Sequence, residues 1–347
     1  MSSPVTIVVD AMGGDHAPAM PVAGALQALD ACSASVILVG DEAAVRSEIA
    51  RHGKASDRLE VVHAPEVVGM DESPITPIRK KRQSSIRLSA DLVREGRAQA
   101  LFSAGNTGAV MISAKMVIGT IEGVDRPALA AVFPHNSGRT LLLDVGANVD
   151  SKVHHLRQFA VMGHFYAQEI LGSRSPRIGL LSIGEEAGKG NDFVREVYKI
   201  MEGLNLNFVG NVEGRDLFNG AVDVVVCDGF VGNVLLKSTE AVAGMIAEML
   251  RESLAQSLRT KLGYLFARPG LRSLFTKLDY TEYGAAPLLG VQAGCFVGHG
   301  VSDAKAIKNA ILRACEFCEA DLHVKMREKI AEMHAFEESM ASSREVV

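Results

Sequence analysis

Ten short runs of β-branched and aliphatic residues, at 5–10, 36–40, 59–63, 100–103, 128–133, 141–145, 178–183, 207–210, 222–227 and 295–297, constrain this chain more than any other feature. Most are apolar throughout, with no alternation, as a parallel sheet requires when helices cover both of its faces. Helical patterns fill the intervals, over 21–29, 42–51, 84–95, 107–118, 154–171, 192–201, 233–250 and 304–332. The expected fold is therefore α/β, two-lobed, with a mostly parallel sheet and helices on both faces. At 347 residues the chain has room for two lobes, at 1–150 and 151–302, with a polar tail at 335–347. No Pro/Gly/Ser-rich linker marks the boundary, and whether the helix at 303–334 returns to the first lobe is left open.

The loops at the strand ends are more informative than the strands themselves. Asp10-Ala-Met-Gly13-Gly14-Asp15-His16, Ser103-Ala-Gly105-Asn106-Thr107-Gly108, Asp144-Val-Gly146-Ala-Asn148, Gly184-Glu-Glu-Ala-Gly188-Lys189-Gly190-Asn191 and Asp228-Gly229-Phe-Val-Gly232-Asn233 each place Gly with Asn or Asp between a strand and a helix. Glycine permits close backbone approach, Asn and Asp cap the next helix, and the exposed N–H groups at its start attract an anion. In a parallel sheet such loops share the carboxyl edge, so all five are expected to face one cleft. Plain turn chemistry accounts for any one of them. Lys189 stands out as a cation within a Gly-rich turn.

Several functions are excluded or disfavoured. With 36 Lys and Arg against 41 Asp and Glu, the formal charge of −5 excludes a nucleic-acid binder driven by bulk positive charge. No Walker loop and no Gly-x-Gly-x-x-Gly after a strand is present, which disfavours a nucleotide or nicotinamide cofactor, and no His-Glu-x-x-His or Gly-x-Ser-x-Gly occurs. Cys315-Glu-Phe-Cys318 lies in a helical run without a second pair and reads as packing, and Cys227 reads as a buried strand cysteine. Five cysteines do not make a disulfide framework. No signal-peptide pattern opens the chain and no uninterrupted apolar run approaches about 20 residues, so a cytoplasmic protein is expected.

Residues 253–278 carry Arg259, Lys261, Arg268, Arg272 and Lys277 and no acidic residue. Leu254, Leu258, Leu262, Leu265 and Phe266 form one helical stripe; Leu271, Leu274, Phe275 and Leu278 form a second after Arg268-Pro269-Gly270. The segment reads as a basic amphipathic hairpin whose stripe suits core packing, a membrane surface or an acidic protein partner.

The strand-end motifs, with Asn211-Val-Glu-Gly-Arg-Asp216 and Gly284-Ala-Ala-Pro-Leu-Leu-Gly290, closely resemble bacterial phosphate acyltransferases of the PlsX type, and the likeness runs from about residue 6 to 311. The resemblance implies transfer of a long fatty acyl group from acyl carrier protein to inorganic phosphate, giving acyl phosphate for phospholipid synthesis. It also implies a homodimer and a fold like phosphotransacetylases and the isocitrate and isopropylmalate dehydrogenases; direct attack by phosphate needs no metal, and no cofactor is expected. Loose attachment to an anionic membrane surface, beside a downstream membrane acyltransferase, is implied as well.

Phosphate is already a nucleophile near neutral pH, so such an enzyme has mainly to position it and stabilise charge on the carbonyl oxygen and departing thiolate. On this scheme Lys189 and Asn233 are expected to stabilise that charge and His16 to move a proton. Gly13, Gly14, Asp15, Asn106, Thr107, Asn148, Gly188, Asn191 and Asp228 would line the phosphate and substrate site. Arg259, Lys261, Leu262, Leu265, Phe266, Arg268, Arg272, Phe275 and Lys277 would contact carrier protein or membrane, and Met111, Met116, Met245 and Met249 are candidates for an acyl groove. An acyl-CoA-dependent phosphotransacetylase, a metal-dependent hydroxy-acid dehydrogenase of the same architecture and a non-catalytic scaffold remain as alternatives.

Overall fold

The computed structural model describes residues 4–53, 56–278 and 284–331. Its strands are β1 (Thr6–Asp10), β2 (Ser35–Gly40), β3 (Leu59–His63), β4 (Ala100–Ser103), β5 (Ala128–His135), β6 (Gly138–Leu143), β7 (Ile178–Leu181), β8 (Phe208–Val212), β9 (Val224–Val226), β10 (Ala286–Leu289) and β11 (Gly294–Val297). The helices are α1 (Ala19–Ala31), α2 (Glu42–Arg51), α3 (Thr76–Arg79), α4 (Ser85–Arg94), α5 (Thr107–Ser113), α6 (Val153–Glu169), α7 (Asp192–Glu202), α8 (Asp216–Asn219), α9 (Gly229–Ala255), α10 (Leu258–Leu278) and α11 (Ala304–Glu319). A π-helical turn, Ala114–Ile118, continues α5.

The strands form one sheet in the order β3-β2-β1-β4-β11-β10-β5-β6-β9-β7-β8. Each strand sends alternate residues to opposite faces, and both faces are covered: Ile7 and Val9 enter one apolar layer, Val8 the other. Two-sided burial explains the unbroken apolar runs. Phe102 and Phe296 are fully buried within the first layer, each worth about 2–3 kcal/mol of transfer free energy.

Strand direction is where the architecture departs from expectation. β1, β2, β3, β4 and β11 are parallel, as are β6, β9, β7 and β8. Between these groups, β10 is antiparallel to both β11 and β5, and β5 is antiparallel to β6. Three successive reversals leave the two parallel groups running in opposite senses. Their carboxyl ends therefore emerge on opposite edges of the sheet, the Asp10 edge and the Asp144 edge.

The chain is also distributed differently from a division at residue 150. β5 and β6 sit among the strands of the second group, whereas β11 returns to lie beside β4. α11 packs along α1 and covers β1, β4 and β11, so the C-terminal helix does return to the first half. That helix ends at Glu319, followed by Asp321 at a positive φ of 50°, before a second helical run over 322–331; the single helix expected over 304–332 is two. The polar tail at 335–347 lies outside the described residues.

The hairpin differs as well. Its turn falls at Gln256-Ser257, not at residues 268–270: α9 supplies 27 residues of one arm, and Pro269 lies inside α10. Only Gly229 and Gly232 of α9 are buried, while Val231, Val234, Val242, Met245, Ile246 and Met249 are exposed. By length and composition α9 could reach across a bilayer, although an ion pair between Lys237 and Glu240 lies inside it. Arg259, Lys261, Leu265, Phe266 and Arg268 are exposed on α10; the side chains of Leu262, Arg272, Phe275 and Lys277 lie outside the described residues.

Candidate active site: two strand-end assemblies

The five Gly-rich loops do not face one cleft. Those after β1 and β4 open on the Asp10 edge, and those after β6, β7 and β9 on the Asp144 edge. A strand of five residues spans about 17 Å, so in one protomer His16 and Lys189 are separated by the depth of the sheet as well as by its width.

On the Asp10 edge, the neighbouring strands β1, β4 and β11 deliver loops 11–18, 104–106 and 298–303 to one place. The Asp10 carboxylate, at the buried end of β1, fastens them. It accepts hydrogen bonds from Ser103 Oγ (2.7 Å), the Met12 N–H (3.1 Å), the Ser85 hydroxyl and the Gly13 N–H. Burial pushes its pKa above the usual carboxylate value, against the pull of those donors. Gly13 is required here, because a Cβ would lie 2.8 Å from both Asp10 Oδ2 and the Gly105 nitrogen. The Asp15 N–H donates to Gly300 O (2.8 Å), joining the β1 and β11 loops. The side chains of Asp15 and His16 are exposed at the opening, as is His299. The backbone N–H groups of Gly14, Asn106, Thr107 and Gly108 have no partner among the described residues, so they are available to an anion.

Asn106 is not available in the way expected. Its Oδ1 caps α5 by accepting the Ala109 N–H (3.0 Å), and its Nδ2 donates to the carbonyls of Met70 (2.8 Å), Glu72 (2.9 Å) and Gly69 (3.3 Å). It anchors a strap, residues 66–84, across the opening. The strap escapes a reading of the sequence because its role rests on contacts with Asn106, some 30 residues away. A cavity of about 10 Å³, room for one water, lies under the strap between Asp10, Ser85, Ser103, Val67 and Val68.

The Asp144 edge has the same kind of centre. Asp144, fully buried, accepts the N–H groups of Leu129 (3.0 Å), Gly146 (3.3 Å), Ala147 (3.0 Å) and Asn148 (2.7 Å), plus Asn148 Nδ2 (2.9 Å). Burial again raises its pKa. Asn148 is thereby structural: its Nδ2 also donates to Pro127 O (2.8 Å) and its own carbonyl accepts the Gly229 N–H (2.9 Å). Asp228 and Asn191 are helix caps, accepting the N–H groups of Val231 and Val194 at 2.9 Å each. Asn233 lies against Gly146 with its amide exposed, and Gly188 and Lys189 are exposed. The loop carrying Lys189 is held by Asn211, whose Nδ2 donates to Glu186 O (2.8 Å), and by an Arg215–Glu185 ion pair (2.6 Å). Neither clamp is legible in the loop's own sequence, because both come from the next strand and turn.

Close to this edge, ligand atoms of Asp125, His154 and His155 lie within 4.8 Å of one another. His155 is buried, its pKa lowered to about 4 chiefly by desolvation, and its Nδ1 accepts the Lys152 N–H (3.0 Å). That bond leaves the proton of the neutral ring on Nε2, so neither nitrogen offers a free lone pair to a metal. Cys227 is buried with a pKa raised by desolvation, first, and by Asp228 and Asp144, which makes it a poor nucleophile. Cys315 and Cys318 are buried against α11's neighbours, as helix packing requires.

The fold is that of the phosphotransacetylases. A phosphotransacetylase from Streptococcus pyogenes superposes with a TM-score of 0.61 at 20% identity, covering 91% of this chain and 94% of that one. EutD phosphotransacetylase from Staphylococcus aureus gives 0.58 at 17% identity over the same shares, and a putative 4-hydroxythreonine-4-phosphate dehydrogenase from Salmonella typhimurium gives 0.52 at 12%, covering 91% and 99%. Sequence comparison goes further. The family described as fatty acid synthesis protein matches residues 5–325. Proteins named phosphate acyltransferase are 47% identical in Geobacter sulfurreducens, over 98% of this chain and 99% of the relative, and 50% identical in Pelotomaculum thermopropionicum, over 93% and 94%. The chain belongs to this family, the PlsX phosphate acyltransferases, and is an acyltransferase. Family membership implies phosphate as a substrate.

Proposed function

We propose that the protein transfers a long-chain fatty acyl group from acyl carrier protein to inorganic phosphate, and that the acyl phosphate product feeds phospholipid synthesis. The observation that carries the site assignment is the convergence of three adjacent strand ends, β1, β4 and β11, around Asp10, with unpaired N–H groups beside the exposed His16. Phosphate held on the N–H groups of Gly14 and of 106–108 is aligned for attack on the thioester carbon. A phosphate oxygen bonds to carbon, the carbon–sulfur bond breaks, and the thiolate leaves to be protonated; His16 is placed to move that proton. Asp10 acts through the loops as a positioning residue.

The test is phosphate-dependent thiol release from acyl carrier protein. Thiol release without a phosphate requirement, or none, overturns the reading. The phosphotransacetylase fold favours a second reading with acyl-CoA as donor, which faster release from acyl-CoA would establish.

We further propose a cytoplasmic homodimer held loosely on anionic membrane, near the membrane acyltransferase that consumes its product. Exposed Leu265 and Phe266 beside Arg259, Lys261 and Arg268 support the membrane contact. Replacing the three cations with Gln should abolish co-flotation with phosphatidylglycerol vesicles; unchanged flotation removes the hairpin from the membrane.

A further inference from the structure

Two thiols meet where α1 packs on α11. The two helices run side by side in the same sense, both starting at the Asp10 edge, and they approach closely: a Cβ on Gly24 would lie 2.6 Å from Ile307 Cβ and 3.0 Å from Ala304 O. Eight residues further along each chain segment, about 12 Å on and still within the same helical stripe, stand Cys32 and Cys315. The Cys315 thiol lies within hydrogen-bonding reach of the Cys32 sulfur. Cys32 also packs against the apolar layer that contains Cys315 and Cys318.

The pair is asymmetric. Cys32 caps the end of α1 and is half-buried, so a small solute can reach it, whereas Cys315 is only 5% exposed. Burial, first, and the neighbouring Cys32 push the Cys315 pKa well up, so Cys315 stays a thiol and does not react with an oxidant on its own. The Cys32 sulfur is held in place. Its S–H donates to Ala28 O (3.2 Å), and Arg58 Nη1 fixes the turn after α1 by donating to the carbonyls of Cys32 (2.6 Å) and Ala34 (2.9 Å).

We infer that Cys32 and Cys315 form a thiol-oxidation site, in which a peroxide converts the pair to an intramolecular disulfide that staples α1 to α11. The Cys32 thiolate attacks a peroxide oxygen; the O–O bond breaks, water leaves and Cys32 becomes a sulfenic acid. The Cys315 sulfur then attacks the Cys32 sulfur and gives up its proton, the S–O bond breaks, and a second water leaves. Two thiols lose two electrons between them, and one hydrogen peroxide is reduced to two waters. Held contact between the sulfurs offsets the weak nucleophilicity of Cys315. The staple closes the chain from residue 32 to residue 315, which restricts the unfolded state. It joins the two helices that follow the 11–18 and 298–303 loops without touching either loop.

The experiment treats reduced full-length protein with hydrogen peroxide. Peptide mapping without reductant should find residue 32 joined to residue 315, thiol titration in denaturant should fall by about two per chain, and the thermal unfolding midpoint should rise; dithiothreitol should reverse all three. In Cys315→Ala, peroxide should leave a sulfenic acid at Cys32 that dimedone traps, and in Cys32→Ser it should leave Cys315 unoxidised. Thermal unfolding of the reduced variants checks their folding, and if Cys315→Ala does not fold, the wild-type map and Cys32→Ser at the more exposed position decide the matter. Five thiols surviving peroxide, Cys32 carried to sulfinic acid beside a free Cys315, or a disulfide joining Cys315 to Cys318 instead overturns the inference. None of these readouts uses acyl transfer, so the inference stands or falls apart from the proposed function.

Discussion

The two strand-end assemblies use one device in opposite settings. Each closes its loops on a buried aspartate at the end of an apolar strand, with the carboxylate oxygens taken up by nearby donors. Around Asp144 every donor but one is a backbone N–H and the site is packed to the backbone; around Asp10 two of the donors are serine hydroxyls, a small cavity remains, and a strap lies over the top. A carboxylate surrounded by fixed N–H groups is a structural fastener. One sharing its bonds with hydroxyls beside a small cavity tolerates a ligand, although N–H groups without a partner among the described residues occur at both edges, at Gly14 and 106–108 and at Gly188 and Gly190. On the proposed function the Asp144 edge is scaffold and the Asp10 edge carries the chemistry.

The largest expected effect tests the packed edge. In Gly232→Ala a Cβ would lie 1.9 Å from Asp144 O, and a loss of about 4 kcal/mol or more is expected in urea unfolding. Gly13→Ala at the other edge, where a Cβ would lie 2.8 Å from Asp10 Oδ2 and the Gly105 nitrogen, is the milder overlap and should cost less. Similar losses for the two would erase the distinction. Acid should weaken the Asp144 edge next. His155 is held neutral in the fold, so as pH falls below 6.5 the unfolded chain binds a proton first, and up to about 3 kcal/mol is lost by the time pH reaches about 4. His155→Gln, which keeps an acceptor for the Lys152 N–H, should flatten this part of the urea-midpoint profile.

His16→Ala should lower kcat by about 100-fold with unfolding unchanged, as expected of a lost proton-transfer group. Lys189→Met tests the expectation that Lys189 stabilises the transition state: turnover within a few-fold of wild type in folded protein removes it from that role. A 100-fold loss in folded Lys189→Met would instead bring the Asp144 edge, necessarily that of a second copy, to the reacting centre.

A strand run such as 36–40 was legible because two-sided burial writes itself as unbroken apolar sequence, and the loops were legible because Gly with Asn or Asp marks a strand-to-helix turn. Direction was not. β10 contains Pro287 and only four residues, and the reversal it introduces rests on pairings with Phe296 and Leu129 that no local pattern encodes. Hence the candidate residues were found one by one but wrongly gathered into a single cleft. Asn106 and Asn148 were recognised as polar groups at strand ends, yet whether such an amide faces a ligand or a neighbouring carbonyl depends on distant chain, here the strap and Pro127. Pro269 was read as a break, but α10 runs through it.

The reversal at β10 and β5 also shapes the electric field of the molecule. Helices that connect parallel strands run back along them, so α1 and α11 start at the Asp10 edge, whereas α6, α7 and α9 start at the Asp144 edge. Their macrodipoles oppose each other, and each edge collects positive ends. The sheet is accordingly closer to an electrostatic quadrupole than to a dipole, and an anionic substrate diffusing towards it meets an attractive pole at each rim.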